Sequence, residues 1–281
     1  MDPAVPRAQP LTPRIGAEIV GIDLAAPPDE ATIARIYDLL IEHLVLVFRD
    51  QVLGPQAQLA FGAAFGALDT PHHVYPSVPG HERLVLLEND AERPPNTDVW
   101  HSDLTFRRNP PFASILNAKV VPEVGGDTLW ASMYAAYEAL PAGIRSDLDG
   151  LRAVHSMGSY WNEFYSQGGV ERIEAGMSEL GAAVHPVVRR HPVTERPFLY
   201  VNRHFTIHLL GMSSGDSQRL LTYLFDHIEQ PDFQMRLRWR AGTVVMWDNR
   251  VTQHYAVPDY MPSYRRMHRV TIVDDRHAPR R

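Results

Sequence analysis

The sequence predicts a mainly β protein, an antiparallel sandwich or jelly roll with helices packed outside. Its regular segments are mostly short and rich in β-branched and aromatic residues. Long connections separate several of them, which argues against the βα alternation of a parallel sheet, and only a few stretches carry helical spacing. No internal repeat or low-complexity linker divides the 281 residues, so one domain over 1–281 is expected.

In chain order, residues 29–43 follow Pro27-Pro28 and place Ile33, Ile36, Tyr37, Leu40 and Ile41 on one helical face. They run into a strand over 44–48. A second helix is expected over 55–65, with proline near its start, and a third over 132–140, with Ser132 as N-cap. The β-like pieces are 84–87, 113–121, 128–131, 198–202, 243–247 and 268–273. Residues 156–181 contain glycines, show little periodicity and begin rich in Tyr, Trp and Phe, the pattern of an inserted lid or binding loop.

Composition narrows the function. A formal net charge of -6 with mixed signs gives no footprint for nucleic acid or an acidic membrane surface. The absence of cysteine excludes disulfides, thiolate zinc sites and cysteine nucleophiles, and fits a reducing compartment. Any metal site must then use imidazole, carboxylate and water, which suits iron, manganese or zinc. The first nine residues lack the basic-then-apolar layout of a signal peptide, and the apolar run 44–48 is too short to span a bilayer. A soluble, cytoplasmic protein is expected.

Trp100-His101-Ser102-Asp103-Leu104-Thr105-Phe106 is the first informative stretch. On an extended backbone, residues i and i+2 share a face, so His101 and Asp103 can reach one ion. A third ligand from a distant strand would complete a facial triad of two imidazoles and one carboxylate, leaving adjacent positions open. With 14 histidines in the chain, roughly one His-x-Asp arises by chance; the competing reading is a capping Asp beside a core histidine. Downstream, the apolar stretch 242–247 leads into Asp248-Asn249, and His254 follows. Asp248 is a rival carboxylate whose place in a tight turn favours a structural role. Arg265 and Arg269 lie four apart and share a face; the competing reading is a solvated basic face, whereas two cations facing a cavity imply an anionic small molecule.

With these residues the chain resembles the taurine/2-oxoglutarate dioxygenase family, non-haem iron(II) enzymes. The resemblance runs from about Leu11 to Asp274. It is carried by the 100–106 motif, by Gly125-Gly126-Asp127-Thr128-Leu129-Trp130, and by Trp247-Asp248-Asn249-Arg250-Val251-Thr252-Gln253-His254-Tyr255-Ala256, followed by Tyr264-Arg265-Arg266-Met267-His268-Arg269. It implies a double-stranded β-helix, a jelly roll with helices outside. It also implies His101, Asp103 and His254 as iron(II) ligands, and Thr128 and Arg265 as the groups holding the distal carboxylate of 2-oxoglutarate. Arg269 is left for the substrate anion. The implied reaction consumes O2 and 2-oxoglutarate, yields succinate and CO2, and hydroxylates a substrate carbon. If that carbon carries a sulfonate, the product collapses to an aldehyde and sulfite.

His72-His73-Val74-Tyr75 resembles the element with which taurine dioxygenases contact the sulfonate, placing His72 and Tyr75 in that role, and Phe205 matches an aromatic pocket wall. Thr97, with Asn96 beside it, stands where those enzymes have an asparagine at the amine end of taurine. Other alkylsulfonates, alkyl sulfate esters and aryloxyalkanoates therefore stay open as substrates. Relatives of this kind are dimers or tetramers, so a homo-oligomer is expected.

Two patterns point elsewhere. Gly211-Met212-Ser213-Ser214-Gly215 fits the nucleophile elbow of a serine hydrolase, with Asp248 and His254 downstream in hydrolase order. The plainer reading makes Ser213 a helix cap through Asp216, with Leu220, Leu221, Leu224 and Ile228 on that helix's apolar face. His204 and His208 have the spacing of a zinc helix but lack the glutamate base; a mobile or pocket-edge segment is expected there.

Overall fold

The computed structural model describes residues 5–72, 74–95, 98–157, 171 and 181–279. Its largest element is an eight-stranded sheet in the order Arg7–Pro10, Ala17–Val20, Val45–Phe48, Val244–Asp248, Ala113–Val120, Arg265–Ile272, His81–Asn89 and Ser77–Val78. Ala17–Val20 and Val45–Phe48 run parallel; the other neighbours are antiparallel. A three-stranded antiparallel sheet, Gln234–Leu237, Thr128–Ser132 and Thr252–Ala256, packs against it. This is the expected jelly roll with helices outside.

The period of two along each strand explains why the main sheet is covered on both faces. Val45, Val47, Val245, Trp247 and Met267 point toward the smaller sheet and join Trp130 and Ala131 in one core. Leu46, Phe48, Val244, Met246, Val270 and Ile272 point the other way, onto the helices Glu30–His43 and Pro55–Ala63. The fully apolar runs 45–48 and 244–247 are thus interior strands with no solvent face.

Three of the helices begin where a side chain caps them. Asp29 accepts from the N–H of Thr32, Ser132 from that of Ala135, and Ser213 from that of Asp216. The third helix is Met133–Ala139, ending before Leu140, whose backbone Pro141 pushes into the extended region. A further helix, Ala142–Asp147, escapes the sequence reading because it buries no residue and carries no apolar stripe. The strand expected over 198–202 is the shorter Pro197–Leu199.

Of the insertion expected over 156–181, residues 158–170 and 172–180 lie outside the described residues. Its flanks, Arg152–Ser156 and Ala182–Pro186, pair as antiparallel strands with Ser156 opposite Ala182. Thr206–Leu209 adds on the other side of Arg152–Ser156. Among the described residues no helix is long and apolar enough to cross a membrane.

Candidate metal centre and anion cleft

His101 and His254 come together because their backbones exchange two hydrogen bonds, His101 N–H to His254 O at 3.1 Å and the reverse at 2.8 Å. This isolated antiparallel bridge puts both imidazoles on one side, with ring centroids 4.2 Å apart. His254 lies in the strand Thr252–Ala256, paired with Trp130. Asp103 sits in a turn instead of the regular extended backbone that the His-x-Asp spacing suggests. One ligand atom from each of His101, Asp103 and His254 lies within 4.8 Å of the others. It is the one group of three such donors among the described residues, and all three are buried.

The trio fits a metal ion on its own chemistry. The Nε2 atoms of His101 and His254 stand 3.7 and 3.9 Å from Asp103 Oδ1, too far for hydrogen bonds. His101 Nδ1 donates to the Val99 carbonyl at 2.7 Å, which leaves the lone pair on Nε2. Burial pushes the His101 imidazole down to about 3, helped by His254, and burial also lowers His254. Burial alone would raise the Asp103 carboxyl, but Arg269, both imidazoles and a hydrogen bond from Ser114 hold it below the usual carboxylate range. Near neutrality the site therefore presents two neutral imidazoles and one carboxylate, the state that binds a divalent ion.

Every polar group of Asp103 is engaged. Ser114 Oγ donates to Oδ2 at 3.0 Å, and Arg269 Nη1 stands 3.4 Å from Oδ1. The backbone N–H donates to Asn249 Oδ1 at 2.7 Å, and the carbonyl accepts from Asn249 Nδ2 at 3.0 Å.

A cleft runs from His101 and His254 to Thr128, Arg265 and Arg269, walled by Trp130 and Trp247. Arg265 and Arg269 share one face of the strand Arg265–Ile272. Arg265 is 6% exposed, and among the described residues no carboxylate lies within salt-bridge reach of it. Its Nε lacks a hydrogen-bond partner, and its guanidinium carbon lies 5.9 Å from the rings of both Trp239 and Tyr260. Burial lowers its pKa. Thr128 Oγ1 accepts from Trp239 Nε1 at 2.9 Å, leaving its own O–H to donate. A hydroxyl donor and a buried guanidinium with no carboxylate among the described residues, in one cleft, have the chemistry to receive a small carboxylate. Gly125 and Gly126, at φ +81° and +72°, shape this end. A Cβ on Gly125 would meet Asp259 at 2.7 Å, so the bare backbone lets residues 257–260 close in and bring Tyr260 over Arg265.

The model of the taurine catabolism dioxygenase TauD, TfdA family matches residues 7–271. This chain belongs to that family. It is a 2-oxoglutarate-dependent dioxygenase, an oxidoreductase. An alkylsulfatase of Acinetobacter baylyi is 38% identical, over 94% of this chain and 84% of that protein. An alpha-ketoglutarate-dependent sulfate ester dioxygenase of Pseudomonas putida is also 38% identical, over 95% and 89%. The crystal structure of a taurine dioxygenase from Burkholderia xenovorans superposes with a TM-score of 0.83 at 34% identity, covering 96% of this chain and 90% of that one.

The His72 and Tyr75 rings of this dioxygenase pack at 4.9 Å. His72 Nδ1 accepts from the N–H groups of Val74 and Tyr75 at 3.1 and 3.2 Å, which places the imidazole proton on Nε2. Tyr75 packs against an apolar cluster of Val74, Leu104, Phe106, Met157 and Phe205. Phe205 lies edge-on to His101 at 6.1 Å. Asn96 and Thr97 lie outside the described residues.

The rival patterns dissolve into separate networks. Ser213 caps its helix and its hydroxyl donates to Asp216 at 2.6 Å. Asp248 is buried against Arg250, with contacts of 2.8 and 2.6 Å, and against His191 at 3.1 Å. His254 belongs to the metal trio. The 204–208 segment is no zinc helix: Thr206–Leu209 is a strand, and the His204 ring rests 5.5 Å from that of His101. The sequence reading missed Ser114, Trp239 and Tyr260, and took Asn249 for a simple turn residue. Only Asn249 carried a signal, through its place in the third motif.

Proposed function

We propose that this dioxygenase binds iron(II) through His101, Asp103 and His254 and hydroxylates the carbon beside a sulfonate, releasing sulfite and an aldehyde. The observation that carries the reading is Arg265, a buried guanidinium without a carboxylate partner among the described residues, in the same cleft as two of the three metal ligands. Iron(II) bound at the trio supplies the redox chemistry by which O2 converts 2-oxoglutarate to succinate and CO2 and hydroxylates a C–H bond.

The chain's own groups do the rest. Arg265 holds the distal carboxylate of 2-oxoglutarate in a bidentate pair and Thr128 adds a hydrogen bond. Arg269, His72 and Tyr75 hold the substrate anion, while Phe205 walls the reacting carbon from water. A 1-hydroxyalkylsulfonate then loses sulfite: the C–S bond breaks, its electrons leave with sulfur, and the hydroxyl proton departs as the carbonyl forms.

The apolar cluster beside the site favours a second reading, an alkyl sulfate ester with an apolar tail, in keeping with the names of the two relatives above. The same hydroxylation would then release sulfate. An aryloxyalkanoate is the third candidate. The test is succinate formation by iron(II)-loaded protein given 2-oxoglutarate, O2 and, in turn, taurine, longer alkylsulfonates, alkyl sulfates and a phenoxyacetate. Succinate with sulfite supports the sulfonate; succinate with sulfate from an alkyl sulfate replaces it with the ester. Protein that binds neither iron nor 2-oxoglutarate sinks the proposal.

A further inference from the structure

We infer that Asn249 and His185 are positioning residues for Asp103, an assignment that rests on the metal-site reading above. Leu104, next to Asp103, has φ +56°. That left-handed backbone is one a bulky non-glycine residue keeps only where its surroundings over-determine it. Two neutral side chains supply the constraint, one from each side of the turn.

On one side, Asn249 does the work of a neighbouring strand. Its Oδ1 accepts the Asp103 N–H at 2.7 Å, and its Nδ2 donates to the carbonyls of Asp103 at 3.0 Å and Pro111 at 3.2 Å. Asn249 is fully buried, and its own N–H donates to Phe112 O at 2.9 Å. The ion pair of Asp248 with Arg250 and the bond from His191 to Asp248 hold the residue before it.

On the other side, His185 Nε2 lies 2.9 Å from Thr105 O and 3.0 Å from Arg107 O. Both partners are carbonyls, so Nε2 carries the proton and donates to both. The Thr105 hydroxyl is in turn tied to Asn202 Nδ2 and His155 Nδ1, each at 3.0 Å. Turn 103–107 is thereby clasped before any metal arrives, and Asp103 is kept aimed at the two imidazoles. Asn249 and His185 bond the backbone around the carboxylate instead of its oxygen atoms, so they act through Asp103.

The test compares wild type with Asn249→Ala, His185→Leu and His185→Gln, whose amide N–H can replace that of imidazole. Metal-free protein is titrated with Co(II) and Mn(II), melting confirms folding, and amide exchange at Asp103 is read without metal. The expected result is metal binding about tenfold or more weaker in Asn249→Ala and His185→Leu, with His185→Gln restoring most of the loss. Exchange at the Asp103 amide should accelerate in Asn249→Ala. Should Asn249→Ala fail to fold, the His185 pair decides. Folded Asn249→Ala or His185→Leu binding metal within about twofold of wild type, or His185→Gln as weak as His185→Leu, overturns the assignment alone. Wild type that binds no metal overturns the metal reading and this one with it.

Discussion

The two ends of the cleft follow opposite plans. At the metal end, Asp103 is matched by protein at every polar atom, with Ser114 and Arg269 on its carboxylate and Asn249 on its backbone. At the far end, Arg265 is as deeply buried, yet it faces two aromatic rings and the Thr128 hydroxyl with no carboxylate among the described residues. A paired buried charge is preorganised, whereas an unpaired one stores a desolvation cost that an arriving anion relieves. The first end has the charge of Asp103 matched by protein; the second leaves the charge of Arg265 for the 2-oxoglutarate carboxylate proposed above.

The largest expected effect breaks the metal end: Asp103→Ala should weaken Co(II) or Mn(II) binding by more than the roughly 10–100-fold of an outer-shell change, read by titration of metal-free protein. Next, Arg265→Leu should lose about 2–5 kcal/mol of 2-oxoglutarate binding while raising the melting temperature of the ligand-free protein, because a buried charge with no carboxylate among the described residues is gone. The contrast between the ends fails if that variant melts lower than wild type without ligand. Thr128→Val should weaken 2-oxoglutarate by about 1 kcal/mol, roughly fivefold. It should also lower the melting temperature, since Trp239 Nε1 loses its acceptor.

The last effect concerns pH, behind the metal end, and leaves ligand binding aside. Burial, aided by His185 and Arg189, pushes His155 down from 6.5 to about 3. The unfolded chain thus binds a proton that the folded one refuses. The stability from neutral His155 is whole above pH 6.5 and is lost as pH falls toward 3. His155→Gln should flatten the loss between pH 6 and 5 by up to about 1.4 kcal/mol per unit, measured by denaturant unfolding.

Much of the fold was legible because apolar periodicity and caps are local. The runs 45–48 and 244–247 have no polar residue to show a solvent face, and Asp29, Ser132 and Ser213 mark helix starts. Thr252–Ala256 was not read as a strand because it turns Thr252, Gln253 and His254 inward, against the usual alternation. There Thr252 bonds the Asp248 carbonyl and Gln253 the Val201 carbonyl, so buried hydrogen bonds override the pattern.

The sequence by itself determined the candidate donor set, the order of the motifs and the two arginines spaced for one strand face, because these are properties of residue type and separation. Only the tertiary structure decided that Asp248 is a structural ion-pair partner of Arg250 while Asn249 clasps Asp103. It alone paired the His101 and His254 backbones across 153 residues of chain and left Arg265 without a carboxylate among the described residues. Those outcomes depend on which distant groups share a buried volume, and hydrogen-bond partners chosen in three dimensions leave no spacing along the chain.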